Sequence, residues 1–453
     1  MNGMNVRFER SRWRLGGRPR KRFAVLLLAL SLIGAAIYWS AGASAGRSTS
    51  QTTITFQVWG TPTVAEKLFQ QWQQLYPNDA KGTKLQMVNG GANDGDSVTK
   101  FRLELAAHSG VPDLVLLNKT EVPEFAVAGE LTNLLPYVKP YVSGMTTAAQ
   151  RLMTYNGAYV GVPYNINEKL WFYRKDLFAQ AGIDPTKIHT MQQFIAAGKQ
   201  LHAKFPNSYI WNLAATPQAY VLGELMSGNG SQIFDKETGK FVVATDPGIR
   251  AAFTALAQLR ASGVVDTEFD DFSPQWQSGL ADGTIASVPI GSWMAEFLPM
   301  YAPKLAKEWG VTVWPNIGGD ANGGGSEAGG PVFVVPKAAE DKTAAMKFVE
   351  DMFMTKKGSL VTYKSGAVPN VTAAQASPAV NKDPYFGSAF IKAYEAASAH
   401  YTVLNYDPAA LKEITILNNA LDGFLASGST DPTSYLQTAQ QELTSQIGNP
   451  YNP

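Results

Sequence analysis

GAYVGVPYNINEKLWFYRKDLF, residues 157–178, holds two strand signals on either side of a short polar segment. Tyr159-Val160-Gly161-Val162-Pro163 is a glycine-punctuated apolar run. Leu170-Trp171-Phe172-Tyr173 is a second one, passing into a helix-like Lys175-Asp176-Leu177-Phe178. Between them, Tyr164, Asn165 and Asn167 gather one ring and two amides. Strand signals spaced this way predict a chain that crosses from one buried region to another. A cleft at such a crossing, walled by rings and amides, fits a neutral, polar guest.

Upstream, Thr53-Ile54-Thr55-Phe56-Gln57-Val58-Trp59 alternates as a strand does, and Thr61-Pro62 supplies a cap and a first-turn proline for a helix bearing Val64, Leu68, Trp72 and Leu75. Pro112 to Leu117 reads as a buried strand with a helix-like Glu121–Ala128 behind it. Strand then helix, repeated, predicts an α/β lobe with a parallel sheet. Downstream, Thr190-Met191-Gln192-Gln193 matches a capping box, Asp246-Pro247 opens a helix, and Val311–Trp314 and Val332–Val335 read as strands around a glycine-rich loop at 318–330. The tail from Ala409 to Ile447 reads as two helices split near Gly428.

At 453 residues the chain exceeds one hydrophobic core, so two or more lobes are expected. Its first 45 residues stand apart. Eight basic residues, opposed only by Glu9, precede an uncharged run from Phe23 to Trp39 and a small-x-small site at Ala43-Ser44-Ala45. That is the pattern of an export signal, with an uncleaved anchor as the alternative. Taking those eight bases and one acid from 38 basic and 37 acidic residues leaves 30 against 36, a net charge of −6 with no basic stripe for nucleic acid. There is no cysteine, hence no disulfide, and the four histidines show no ligand spacing, so neither metal nor cofactor is expected. No GxxxxGK[ST] is present, so any ATP hydrolysis belongs to another chain.

Several segments in order carry a family resemblance: ITFQVWG (54–60), SGVPDLVLLNKTEVPEFAVAGELTNL (109–134), GAYVGVPYNINEKLWFYRKDLFAQAGID (157–184), GNGSQIFDKETGKF (228–241), GTIASVPIGSW (283–293) and PVFVVPKAAEDKTAAMKFVEDMF (331–353). The chain resembles the extracellular solute-binding proteins of family 1 that deliver sugars to ABC importers, the group that includes maltose-binding protein. The resemblance implies a two-lobed α/β fold of the type II periplasmic-binding kind. Its first lobe would comprise 52–161 and 315–366, and its second 162–314 and 367–453. Hinge crossings would lie near Tyr159–Asn165, near Trp314 and before Val368-Pro369. The family often carries a lipidated cysteine after the signal, and this chain has none.

A sugar offers hydroxyls around an apolar ring face, so its site needs flat rings and fixed hydrogen-bonding groups. Trp59 and Asn118 close strand signals, where ligands of open α/β sheets gather; core packing is the alternative for Trp59. Tyr164 and Asn165 sit at the expected crossing, with a hinge role as the alternative. The resemblance places Trp211 and Asn229 near the ligand and has Trp293, in Gly291-Ser292-Trp293, stack on sugar. Core burial is the alternative for Trp293 and a tight turn for Asn229. Trp276 is expected near the cleft rim, and Gly330 would let backbone approach a hydroxyl. Glu268, Asp270 and Asp271 read as helix-start electrostatics or solvated surface rather than a catalytic pair.

The function these readings point to is a non-enzymatic, monomeric, extracytoplasmic carbohydrate-binding subunit that serves a membrane permease with a separate ATPase. Two alternatives stand beside it: a secreted glycoside hydrolase using the acidic cluster, and a binding protein for a peptide or osmolyte.

Overall fold

The computed structural model describes residues 51–60, 62–214, 217, 219–315, 326, 328–399 and 404–449. The expected export segment at 1–45, the cap at Thr61 and most of the glycine-rich loop lie outside these residues.

Two sheets organise the described chain. The first has five strands in the order Thr83–Asn89, Thr52–Val58, Leu114–Leu117, Val332–Val334, Val162–Pro163. Thr52–Val58 runs parallel to both of its neighbours, as the strand–helix alternation predicts. Val332–Val334 runs antiparallel to the strands on either side, so the sheet is mixed rather than wholly parallel. The reason is connectivity. Parallel neighbours need a crossover helix between them, whereas Val332 enters this sheet straight from the crossing at the opposite edge. Thr63–Leu75 and Lys342–Phe353 pack together on this sheet, where Trp72 donates its indole N–H to Asp351 Oδ2 at 3.0 Å and rings of Phe69, Trp72 and Phe348 interlock. Asp113 is a buried clasp. Its carboxylate accepts from Thr55 N and Oγ1 and from the backbone of Glu340 and Asp341.

The second sheet is Ser287–Gly291, Lys169–Arg174, Trp309–Val313, antiparallel throughout. Its central strand is almost wholly buried, which accounts for the unbroken Leu170-Trp171-Phe172 run. Helices surround it, and their starts match the capping signals. Thr190 and Gln193 form the reciprocal box, Asp246 accepts from Ile249 N, and Ser273 accepts from Trp276 N. The tail helices Ala410–Ser427 and Thr433–Gln446 break at Gly428 as expected.

Three crossings join the sheets. Tyr164–Glu168 leads from Val162–Pro163 into Lys169–Arg174. Beside it runs the returning segment around Ser326–Pro331, and backbone bonds tie the two into a ribbon: Tyr164 N to Pro331 O at 2.9 Å, Ala328 N to Asn167 O at 3.1 Å, and Lys169 N to Ser326 O at 3.0 Å. The third crossing reaches Asn370, whose amide donates to Pro163 O at 2.5 Å. Six steps from Pro163 to Lys169 limit the distance between the sheet edges to roughly 20 Å.

Candidate functional site at the crossing

Strand register places the first group of residues. Gln57 pairs with Val115, so Trp59 stands level with Leu117. Leu117 and Pro163 both pair with Val332. Asn118, Pro331 and Tyr164 therefore share one edge of the five-stranded sheet, beside Trp59, with Gly330 one residue further. This is the carboxyl edge of the parallel strands, where open α/β sheets hold ligands. Across the crossing, Gly291 pairs with Lys169 and Val313 with Leu170, so Ser292, Trp293 and Trp314 lie at the edge where Lys169 enters the second sheet. The crossing thus joins two edges that both carry aromatic rings.

On the first edge, Trp59 and Tyr164 are half-buried. The Tyr164 ring leans on Phe353 and Phe333 with centroids 5.5 and 5.9 Å away, and its phenol is raised by burial first and by Glu296 second. Asn118 donates from Nδ2 to Asp94 Oδ2 at 2.7 Å, and its backbone N–H goes to Glu121, a buried carboxyl pushed well up by desolvation. Asn165 is buried and accepts from Asn167 Nδ2 at 3.2 Å. Gly330 is buried against Leu152.

On the second edge, Ser292 is buried. Its Oγ accepts from Glu168 N, and its N–H donates to Glu168 O. The Trp293 indole packs closely on Gly291; a Cβ at that glycine would stand 2.2 Å from Trp293 Nε1. Half-buried, Trp293 meets Phe272 at 5.7 Å and 32°, Phe297 at 5.9 Å and Tyr220 at 6.3 Å. Phe272 is 38% exposed and holds φ +67°. A bulky residue in the left-handed region costs of order 1–3 kcal/mol, and such strain collects at ligand sites.

Beneath this platform runs a polar chain. Trp276 is fully buried and donates its indole N–H to Asn212 Oδ1 at 2.7 Å, while Asn212 and Tyr220 both donate to Asp271. Desolvation raises the Asp271 carboxyl, partly offset by those two donors. Asp271 reads in the sequence, with Glu268 and Asp270, as helix-start electrostatics or solvated surface. Those two are exposed, but Asp271 turns inward because Tyr220 and Asn212 offer it hydrogen bonds. Trp211 is buried, 5.9 Å from Trp314, and the Lys169 ammonium sits 5.5 and 5.3 Å from their ring centroids. Lys169 is wholly buried and paired with Glu224, whose own carboxyl is raised by desolvation against the pull of the lysine. Asn229 follows the Ala219–Gly228 helix and donates to Gly248 O at 3.3 Å, with no ring of the platform among its hydrogen-bond partners.

Register and contacts thus bring Trp59, Asn118, Tyr164, Asn165 and Gly330 to one edge and Ser292 and Trp293 to the facing one. Trp211 and Trp276 lie behind the second edge, and Asn229 lies aside. Sequence reading missed Phe272, Tyr220 and Asp271 as members. Nothing in a lone phenylalanine announces a left-handed backbone, although the Asp271-Phe272-Ser273-Pro274 run marks a sharp turn before a helix.

The site offers rings, amides and carboxylates, with its lysine sealed underneath. A profile of the family described as bacterial extracellular solute-binding protein matches residues 67–387. Among characterised proteins, the lactose-binding protein of Rhizobium radiobacter is 24% identical over 364 residues, covering 79% of this chain and 83% of that one. The arabinooligosaccharide-binding protein of Bacillus subtilis (strain 168) is 25% identical over 337 residues, 72% of this chain and 74% of its own. Among solved structures, the ABC transporter associated binding protein from B. animalis subsp. lactis Bl-04 in complex with β-1,6-galactobiose superposes with a TM-score of 0.76 at 21% identity, over 89% of this chain and 100% of that one. The fold is the two-lobed α/β architecture of those binding proteins.

Proposed function

The chain belongs to the bacterial extracellular solute-binding proteins, and from that premise we propose that it captures a neutral carbohydrate between its lobes and hands it to an ABC permease powered by a separate ATPase. One observation carries the reading. One sheet edge carries the half-buried rings of Trp59 and Tyr164, and beside the other lie the half-buried Trp293 and the exposed Phe272, with amides and carboxylates near both. Such surfaces match a sugar, whose ring faces are apolar and whose rim is hydroxyl. Trp211 and Trp276 act from behind, fixing the platform rather than touching sugar. The lobes divide at the ribbon of Tyr164–Glu168 with 326–331 and at the stretch before Asn370. Sugar favours the closed arrangement because only there do both edges touch it.

Binding without turnover also fits the acids. Glycoside hydrolysis needs two carboxyls facing one bond. Here Asp271 is occupied by Tyr220 and Asn212 while Asp270 and Glu268 face solvent. Residues 1–45 serve export and, if uncleaved, tether the protein. Without cysteine, no lipid-modified thiol can do so. Among the described residues, no helix is long and apolar enough to cross a membrane.

The test is a panel of lactose, β-1,6-galactobiose, arabino-oligosaccharides and malto-oligosaccharides, read by tryptophan fluorescence and calorimetry. At least one sugar should bind and change the emission, with no cleavage of chromogenic glycosides. A peptide or osmolyte that binds while every sugar fails would overturn the proposal.

A further inference from the structure

The helix Met294–Tyr301 begins directly after Trp293, and its first turn carries Glu296, whose N–H donates to Trp293 O at 3.0 Å. Its side chain lies on Gly366. A Cβ at that glycine would stand 2.4 Å from Glu296 Cβ and 2.7 Å from Cγ, so only glycine admits the acid there. Gly366 leads into Ala367–Asn370, and Asn370 grips Pro163, the residue before Tyr164. Glu296 is thereby placed between the first and third crossings, one turn from Trp293. Its charge reaches Tyr164 and Tyr301, each raised by burial first and by Glu296 second.

The other acids at this site have donors. Glu224 holds Lys169, Asp271 takes Tyr220 and Asn212, Glu121 takes the Asn118 N–H, and Glu168 takes Ser398 Oγ. Glu296 is half-buried, yet among the described residues its carboxylate has no hydrogen-bonding or ion-pairing partner. Burial pushes it up to about 7. Burial strips part of its hydration and no protein donor replaces it, so beside the ring platform this acceptor has room for a donor from outside. The buried lysine of this site, Lys169, is enclosed by Glu224 and two indoles.

We infer that Glu296 accepts hydroxyl hydrogens of the bound sugar and, as an unneutralised acid, bars sugars that carry a carboxylate or phosphate. This rests on the carbohydrate reading above and names the charge class that the site takes. Hydroxyls donate best to the ionised acid, so binding draws off the proton that Glu296 carries below pH 7. Affinity for a neutral sugar therefore rises between pH 6 and pH 8. The titratable groups facing Glu296, Tyr164 and Tyr301, stay neutral across that range, both being raised.

The experiment titrates lactose, maltotriose and arabinotriose as neutral probes and digalacturonate as the acidic probe. It uses wild-type protein and Glu296→Gln at pH 6 and pH 8, with thermal midpoints measured without sugar. The inference expects a neutral probe to bind wild type at least tenfold more tightly than digalacturonate. In the variant it expects about a tenfold loss for that neutral probe, a narrowed gap to digalacturonate, a flat pH response and an unlowered midpoint. A neutral probe that binds both proteins equally would overturn the role of Glu296 and leave the carbohydrate reading standing. Preference of wild type for digalacturonate overturns the charge class. Failure of all four probes and of every sugar in the binding panel, while a peptide or osmolyte binds, overturns both.

Discussion

Gly291→Ala isolates the ring platform from the rest of the fold. A Cβ at residue 291 would lie 2.2 Å from Trp293 Nε1, 2.6 Å from Trp293 Cδ1 and 3.0 Å from Ala328 Cβ, where ordinary contact begins at 3.4 Å. The indole must retreat by the difference, 1.2 Å, because the backbone of Gly291 is fixed by pairing with Lys169. Holding a side chain off its rotamer costs about 0.5–1.5 kcal/mol. Replacing glycine recovers about 0.4–1 kcal/mol through the unfolded chain, and Gly291 is not in the left-handed region. The two nearly cancel, so the midpoint of urea unfolding should hardly move. Affinity should move, because a displaced tryptophan forfeits stacking worth about 0.5–1.5 kcal/mol together with the area it covered. A loss of about 1–2 kcal/mol is five- to thirtyfold in Kd at tenfold per 1.4 kcal/mol. Calorimetry with a sugar from the binding panel measures it. The same alanine added to Trp293→Ala should cost little further affinity, since the obstructing ring is gone and only the 3.0 Å contact with Ala328 Cβ remains. A Gly291→Ala protein binding within twofold of wild type, or an additive double variant, would refute the reasoning.

Lys169→Met strands Glu224 as a buried charge and should cost about 3–5 kcal/mol in urea unfolding, whereas the double variant Lys169→Met/Glu224→Met should recover most of it. Glu413 and Asp407 are both buried and both raised, mainly by desolvation, with Glu413 pushed up to about 9. A carboxyl raised on folding binds more protons in the native state, so its contribution is full below the unfolded value near 4.3 and is lost as pH climbs through 9. Glu413→Gln should therefore raise the thermal midpoint at pH 8 more than at pH 5, measured by calorimetry at both.

What the sequence disclosed was local. The alternation of Thr53–Trp59, the buried run at Leu170–Phe172 and the caps at Thr190, Asp246 and Ser273 each depend on neighbours a few residues away, and the structure forms them there. Two lobes follow from the length of the chain and from the ordered segments that carry the family resemblance. What stayed hidden depends on partners far along the chain. The polar run Asn167-Glu168-Lys169 names no partner of its own, yet all three are buried, because Ser292, Ser398 and Glu224 arrive from 55 to 230 residues away to satisfy them. Asp271 is hidden for the same reason. Phe272 is hidden for another one, since its backbone is set by the packing of three rings around it rather than by its own preference.

Those buried polar residues also bear on how two lobes move against each other. A crossing made only of apolar residues would slide, because apolar contacts have no direction. Here the ribbon is pinned at both ends by directed bonds, Asn370 to Pro163 at one and Ser292 to Glu168 at the other. Between the pins the two strands hold each other through backbone bonds at Tyr164, Asn167 and Lys169. If the lobes turn about this ribbon, as the proposed function requires, rotation is confined to the φ/ψ of residues between the pins and each sheet edge keeps its rings in place. Ligand then acts on an arrangement whose halves are already shaped, and its contacts need only offset the difference between open and closed rather than the cost of ordering the site. On the proposed reading, the ring platform and the sealed lysine supply the shaped walls, and Glu296 supplies an acceptor that the guest itself satisfies.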